Sequence, residues 1–150
     1  MKSRLLTLLS AISMVASLLV AAPLPAAASS HEATVVDEEA LLTALANDAI
    51  ESIVIASPGF TITDPVPVAR DVTIKGIETT AEATTLSVTS NSPALVITAG
   101  EVTLERFAIS GANDRKASGG GIAVHEGATL YLHEMSLYDN FAGEGGGLFL

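Results

Sequence analysis

The chain has no cysteine, and only 7 of its 150 residues are Lys or Arg against 17 Asp or Glu. Without cysteine there is no disulfide framework, no thiolate metal ligand and no cysteine for a lipid to modify after a leader, so an exported form must be held together by packing alone. The shortage of bases leaves a formal net charge of −10. That charge repels phosphate backbones and anionic lipid heads and argues against nucleic acid as a partner. Histidine is scarce as well, three in all, and no short motif brings them together, so no zinc site is expected.

What is present begins with a leader. Lys2 and Arg4 precede an apolar run from Leu5 to Ala22, and Pro23, Pro25 and Ala26-Ala27-Ala28 follow it. A basic start, an apolar middle and a small-residue A-x-A site predict a cleaved secretory signal peptide over 1–28, a product beginning near Ser29, and a secreted or cell-surface location. Ser10, Ser13 and Ser17 dilute the run, which argues against a retained membrane-spanning helix. Cleavage leaves 122 residues with five bases against seventeen acids, a formal charge of −12. That is enough chain for one domain with a core and no membrane insertion.

The stretch from Gly119 to Leu150 organises the remainder. Gly119-Gly120-Gly121 and Gly145-Gly146-Gly147 lie 26 residues apart, and each runs into a strand-like segment, Ile122-Ala123-Val124 and Leu148-Phe149-Leu150. A fixed period of this size is the signature of a solenoid. Leu130, Leu132, Met135 and Leu137 are spaced by two, three and two, which predicts two short strands whose inward faces are separated by one corner.

In chain order, Thr34-Val35-Val36 predicts a brief strand, and Asp37 an N-cap for a helix running to about Asn47 with Glu38 and Glu39 in its first turn. Leu41, Leu45 and Ala49, with Leu42 and Ala46, supply one apolar stripe, and this helix is read as the cap over residues 29–50 ahead of the coils of 51–150. Ser52 to Ala56, then Phe60 to Ile62 after Ser57-Pro58-Gly59, then Val66, Val68, Val72 and Ile74, make a first coil with proline at a poorly paired edge. Val88, Ile109 and Leu137 are each followed three or four residues on by Asn91, Asn113 and Asn140. Those asparagines, 22 and 27 residues apart, predict one shared corner with an asparagine ladder, the surplus residues Asp114 to Ser118 bulging out as a loop. Leu95 and Ile97 should match Ile122 and Val124, Gly100 should match Gly127, and, with a one-residue shift after the glycine, Val102, Leu104, Phe107 and Ile109 should match Leu130, Leu132, Met135 and Leu137. Leu95, Ile97, Leu104, Ile122, Val124, Leu132, Leu148 and Leu150 are the expected inward residues. Leu148-Phe149-Leu150 reads as mid-strand with no cap after it, so the array is expected to continue past residue 150 or to be truncated there, or else to pair its raw edge with a partner chain.

The run Ser52-Ile53-Val54-Ile55, Pro58 to Ile62, Val66 to Val68 and Asp71 to Gly76 after a helix resembles the entry segment of right-handed parallel β-helix proteins, the pectin-lyase-like superfamily. Gly119-Gly120-Gly121-Ile122 and Leu137-Tyr138-Asp139-Asn140 are similar to the Gly-Gly-Ala-Ile and Phe-x-x-Asn repeats of polymorphic outer-membrane proteins and related bacterial surface β-helices, with Gly121 in place of Ala and Leu137 in place of Phe. The resemblance implies an all-β, right-handed parallel β-helix with a short N-terminal capping helix.

No catalytic, cofactor or metal site is expected in this chain. His125-Glu126 and His133-Glu134 begin like the H-E-x-x-H of zinc proteases, but Thr129 and Leu137 stand where the second histidine belongs, and neither pair lies on a helix. The glycine triplets precede strands, not a helix N-terminus, so they make turns and do not cradle phosphate. The nearest constellation is Asp114-Arg115-Lys116 with Asp139 and Glu144 one coil on, a mixed-charge cluster in a position where related enzymes bind sugars. Two functions remain: a structural or adhesive surface β-helix with a host-surface, glycan or cell-envelope partner, or the N-terminal part of a polysaccharide lyase or glycosidase-like enzyme whose catalytic residues lie beyond residue 150.

Overall fold

Residues 31–77 and 81–150 are described by the computed structural model of the chain. The expected signal peptide lies outside these residues. The first strand, β1 (Glu32–Val35), begins two residues earlier than the sequence pattern suggests. Asp37 then holds an extended backbone and accepts the Ala40 N–H at 2.7 Å, which starts helix α1 (Glu38–Leu45) with two acids in its first turn. The helix stops at Leu45, short of Asn47. Its buried stripe is Leu41 and Ala44, flanked by half-buried Ala40 and Leu45, while Leu42, Ala46 and Ala49, expected to face inward, are exposed. A helix laid against one turn of a solenoid buries only a narrow stripe, and helical periodicity alone does not choose between two adjacent ones.

From here the chain coils. The first turn is β2 (Ser52–Ile55), β3 (Gly59–Ile62) and β4 (Val66–Val68). The second is β5 (Val72–Gly76), a short 3-10 turn at Ala81–Ala83, β6 (Thr85–Val88) and β7 (Leu95–Ile97). The third is β8 (Gly100–Glu105), β9 (Ala108–Ser110), β10 (Asn113–Ser118) and β11 (Ile122–Val124). The last is β12 (Ala128–His133), β13 (Ser136–Tyr138), β14 (Phe141–Glu144) and β15 (Leu148–Phe149). Equivalent strands stack into parallel sheets: A in the order β1-β2-β5-β8-β12, B as β3-β6-β9-β13, C as β4-β7-β11-β15, and D as the pair β10-β14. The chain is a parallel β-solenoid.

Columns of aliphatic side chains hold it together. Ile53, Ile74 and Leu104 lie in one register column of sheet A, Val66, Leu95 and Ile122 in one of sheet C, and Leu86 and Ile109 in one of sheet B, all fully buried. Each such side chain stabilises the fold by about 2 kcal/mol relative to leaving it in water. β4 is the edge of sheet C and carries Pro67, which has no N–H to leave unpaired there.

Several register expectations change. Leu130, Leu132 and Leu137 lie opposite Val102, Leu104 and Ile109, and Ile122 and Val124 opposite Leu95 and Ile97, as the sequence suggests. Gly100, however, faces Ala128 and not Gly127; the extra residue enters the corner before the glycine, at His125 to Gly127. Asp114 to Ser118 is not a free loop, because residues 113–118 form β10 and pair with β14. Asn113 is opposite Phe141, so Asn113 and Asn140 are out of step and no asparagine ladder forms between them. Asn140 bridges the turns singly: its Nδ2 donates to the Ile109 carbonyl at 2.8 Å and its Oδ1 accepts from the Ala112 N–H at 3.2 Å.

Among the described non-glycine residues, the left-handed positions are Arg106 (φ 52°), Glu134 (φ 51°) and Asp139 (φ 53°), none of them asparagine. Arg106 and Glu134 stack at the corner between sheets A and B, where one left-handed residue turns the chain. Of the expected inward residues, Leu132 is 38% and Leu150 80% exposed, and Leu148 is half-buried. They belong to the last turn, where each inward column has a neighbour on one side only.

Candidate functional site

Parallel stacking converts single outward residues into rows. On sheet B, Thr61, Ser87, Ser110 and Tyr138 occupy one register position, and on sheet A, Ser52, Thr73, Thr103 and Tyr131 occupy another that begins at Glu32 on β1. Neighbouring members are one strand spacing apart, about 4.8 Å. Both rows end on a tyrosine, and Tyr131 and Tyr138 are 48% and 41% exposed. Spacing in the sequence does not display these rows, because the turns differ in length and only the register aligns them.

Sheet D fixes the backbone of the mixed-charge stretch. Sheet D sets Asp114 opposite Ala142 and Ser118 opposite Glu144, and the register slips between those pairs, so Arg115 and Lys116 fall in a bulge. The Ser118 hydroxyl donates to the Glu144 carboxylate at 3.4 Å. The Asp139 carbonyl accepts from the Gly111 N–H at 3.3 Å at the start of the corner. His133 is exposed in sheet A opposite Glu105. His125 and Glu126 are exposed in the corner before β12, on an open cleft of about 790 Å³ shared with Thr98, Val124, Phe149 and Leu150. Among the described residues no three of His, Asp and Glu converge as metal ligands do.

Two polar constructions hold α1 to the first turn. The Glu38 carboxylate accepts from the Thr63 N–H and hydroxyl and from the Asp64 N–H, at 2.6–3.2 Å, tying the start of α1 to the turn between β3 and β4. Burial pushes this carboxyl up, and the hydrogen bonds from Thr63 and Asp64 outweigh it, so its pKa ends below the usual value. At the other end the Arg70 guanidinium donates to the carbonyls of Leu45, Ala44 and Asn47 at 2.9–3.3 Å, satisfying the open C-terminus of α1. Glu38 preceding an apolar run and Arg70 beside a corner were visible in the sequence, but that each reaches across 25 residues was not. On sheet A, hydrogen bonds from Lys75 and then Ser52 lower the Glu32 carboxyl.

Held this way, α1 leaves a cleft of about 480 Å³ between itself and β1, lined by Ala33, Thr34, Asp37, Glu39, Ala40 and Ile50 among others. Compared with protein-family models, with curated proteins and with solved structures, the chain matches none.

Proposed function

We propose that this chain is a secreted or cell-surface β-helix with a structural or adhesive role, a rod that presents its strand faces to a host-surface, glycan or cell-envelope partner and carries no catalysis of its own. The repeats are read as those of the bacterial surface β-helices that Gly119 to Ile122 and Leu137 to Asn140 resemble, within the pectin-lyase-like superfamily. The observation that carries the reading is the pair of hydroxyl rows, Thr61 to Tyr138 and Ser52 to Tyr131, each ending on an exposed tyrosine. Apart from Ser52, which is bound to Glu32, the hydroxyls of these rows donate and accept without charge, and an exposed tyrosine offers an apolar ring face with a polar tip. With a formal charge of −10 on the chain, neutral glycans and uncharged protein surfaces suit such faces better than acidic polymers.

The test is retention of the full chain on immobilised neutral glycans and on extracellular-matrix protein, beside Tyr131→Ala and Tyr138→Ala. Binding that falls about tenfold or more in either variant, with unfolding unchanged, supports the reading. The other arm incubates the chain with polygalacturonate and neutral glycans, with calcium and then with chelator. Product release abolished by Arg115→Ala would overturn it in favour of a carbohydrate-active enzyme.

A further inference from the structure

We propose that the cleft between β1 and α1 is a docking groove for an extended, basic peptide segment, which adds to sheet A as a further strand. β1 is the outermost strand of that sheet. The carbonyls of His31 and Val35 accept from the Ser52 and Ala56 N–H groups of the β2 side, both at 2.9 Å. Main-chain groups alternate in direction along a strand, so those of Glu32 and Thr34 face away from β2, and among the described residues no strand pairs with them.

The opposite wall is the helix. Glu39, Ala40 and Thr43 lie on one stripe of α1 and line the cleft together with Ala33 and Thr34 of β1. Alanines at 33 and 40 leave room where larger side chains would close the space. A groove with a free strand edge on one side and a helix on the other meets the two needs of strand addition: main-chain hydrogen bonds from the edge, and space beside the helix for every second side chain. Its charge selects the occupant. Asp37 and Glu39 line the cleft, among the described residues no Lys or Arg does, and the chain as a whole is acidic. A second copy entering edge to edge would bring Glu32, Asp37 and Glu39 against their own likeness, whereas Lys or Arg flanking a short apolar stretch meets opposite charge.

The probe is a labelled peptide, acetyl-Lys-Val-Ala-Val-Lys-amide, titrated with the full chain and followed by fluorescence anisotropy. Saturable binding is expected, weakening several-fold between low and high salt, together with loss of binding when alternate peptide amides are N-methylated. The acidic counterpart, with Glu at both ends, should not bind. Thr34→Pro removes an N–H that the fold leaves facing outward, so it should weaken binding about tenfold or more with the urea midpoint unchanged, and Glu39→Gln, on the exposed helix surface, should weaken binding of the basic peptide through charge and lessen its salt dependence. Equal binding of the acidic peptide, full affinity in Thr34→Pro or with the N-methylated peptide, or no binding of the basic peptide at millimolar protein would overturn the proposal. So would sedimentation showing that the chain pairs with itself through this edge and that Thr34→Pro dissolves the pair.

Discussion

Gly121 and Gly147 occupy the same register position in successive turns, yet alanine should be ruinous at one and harmless at the other. A Cβ on Gly121 would stand 2.6 Å from the Gly147 carbonyl oxygen and 3.2 Å from Asn140 Nδ2. An ordinary carbon–oxygen contact is about 3.3 Å, so the turns would have to part by about 0.7 Å. They are stitched at that point by Gly121 N–H to the Gly146 and Gly147 carbonyls, both 3.1 Å, and Ile122 N–H to the Gly147 carbonyl, 3.0 Å. Opening by that amount stretches these bonds to about 3.7 Å, beyond useful range. Losing two of them costs about 2 kcal/mol, overpacking adds about 1–2 kcal/mol, and the reduced freedom of the unfolded chain returns about 0.5 kcal/mol. The net is about 3 kcal/mol, or roughly 10 °C in Tm for a domain of this size. On Gly147 the nearest atom to a new Cβ is Leu137 Cβ at 3.4 Å, an ordinary contact, and its backbone is not left-handed. Gly147→Ala should therefore lie within about 0.5 kcal/mol of the parent. Urea unfolding followed by far-UV circular dichroism measures both, and equal losses, or a tolerated Gly121→Ala, would refute the stacking argument.

Other substitutions separate the remaining forces. Leu104 is fully buried while Leu132, opposite it, is 38% exposed, so Leu104→Ala should cost about 3 kcal/mol and Leu132→Ala about 1 kcal/mol in the same urea assay. Glu134 holds φ 51°; Glu134→Gly should stabilise by about 0.5 kcal/mol, the relief of left-handed strain exceeding glycine's entropy, whereas Glu134→Val should destabilise. Arg70→Met should cost about 1–2 kcal/mol by leaving the carbonyls of α1 unsatisfied, with hydrogen exchange of the α1 amides accelerating before those of β8. The Glu38 pKa is lowered in the folded chain, so its contribution is complete above the ordinary carboxyl value and is lost as pH falls through the lowered one. Unfolding at pH 7 and pH 3 should show the parent losing about 1 kcal/mol more than Glu38→Gln, after allowance for solvent screening.

The solenoid was legible in the linear pattern because its forces are local and repeated. Alternating aliphatics from Ile53 to Ile74 specify strands with one apolar face, the glycine triplets mark equivalent turns, and Asp37 announces a helix start through a bond three residues long. The helix, the inward columns of the first three turns and the pairing of Ile122 with Leu148 all follow from contacts that recur at a period the eye can find. Register within the corners was decided only in three dimensions. Gly100 and Gly127, Asn113 and Asn140 look equivalent by spacing, but a corner accommodates an extra residue with little strain, and the strands around it then pair wherever their hydrogen bonds and side chains fit. Asp114 to Ser118 read as a loop because the unequal asparagine spacing left its residues surplus; it becomes a strand because residues 141–144 one turn later lie within hydrogen-bonding reach. The outward hydroxyl rows, the grip of Glu38 and Arg70 on α1 and the cleft beside β1 likewise depend on residues 20 or more positions apart. Composition and periodicity determine that such a chain coils, since they set which face of each strand leaves water; which distant groups meet is set by how many residues each turn consumes, and that is settled when the turns stack.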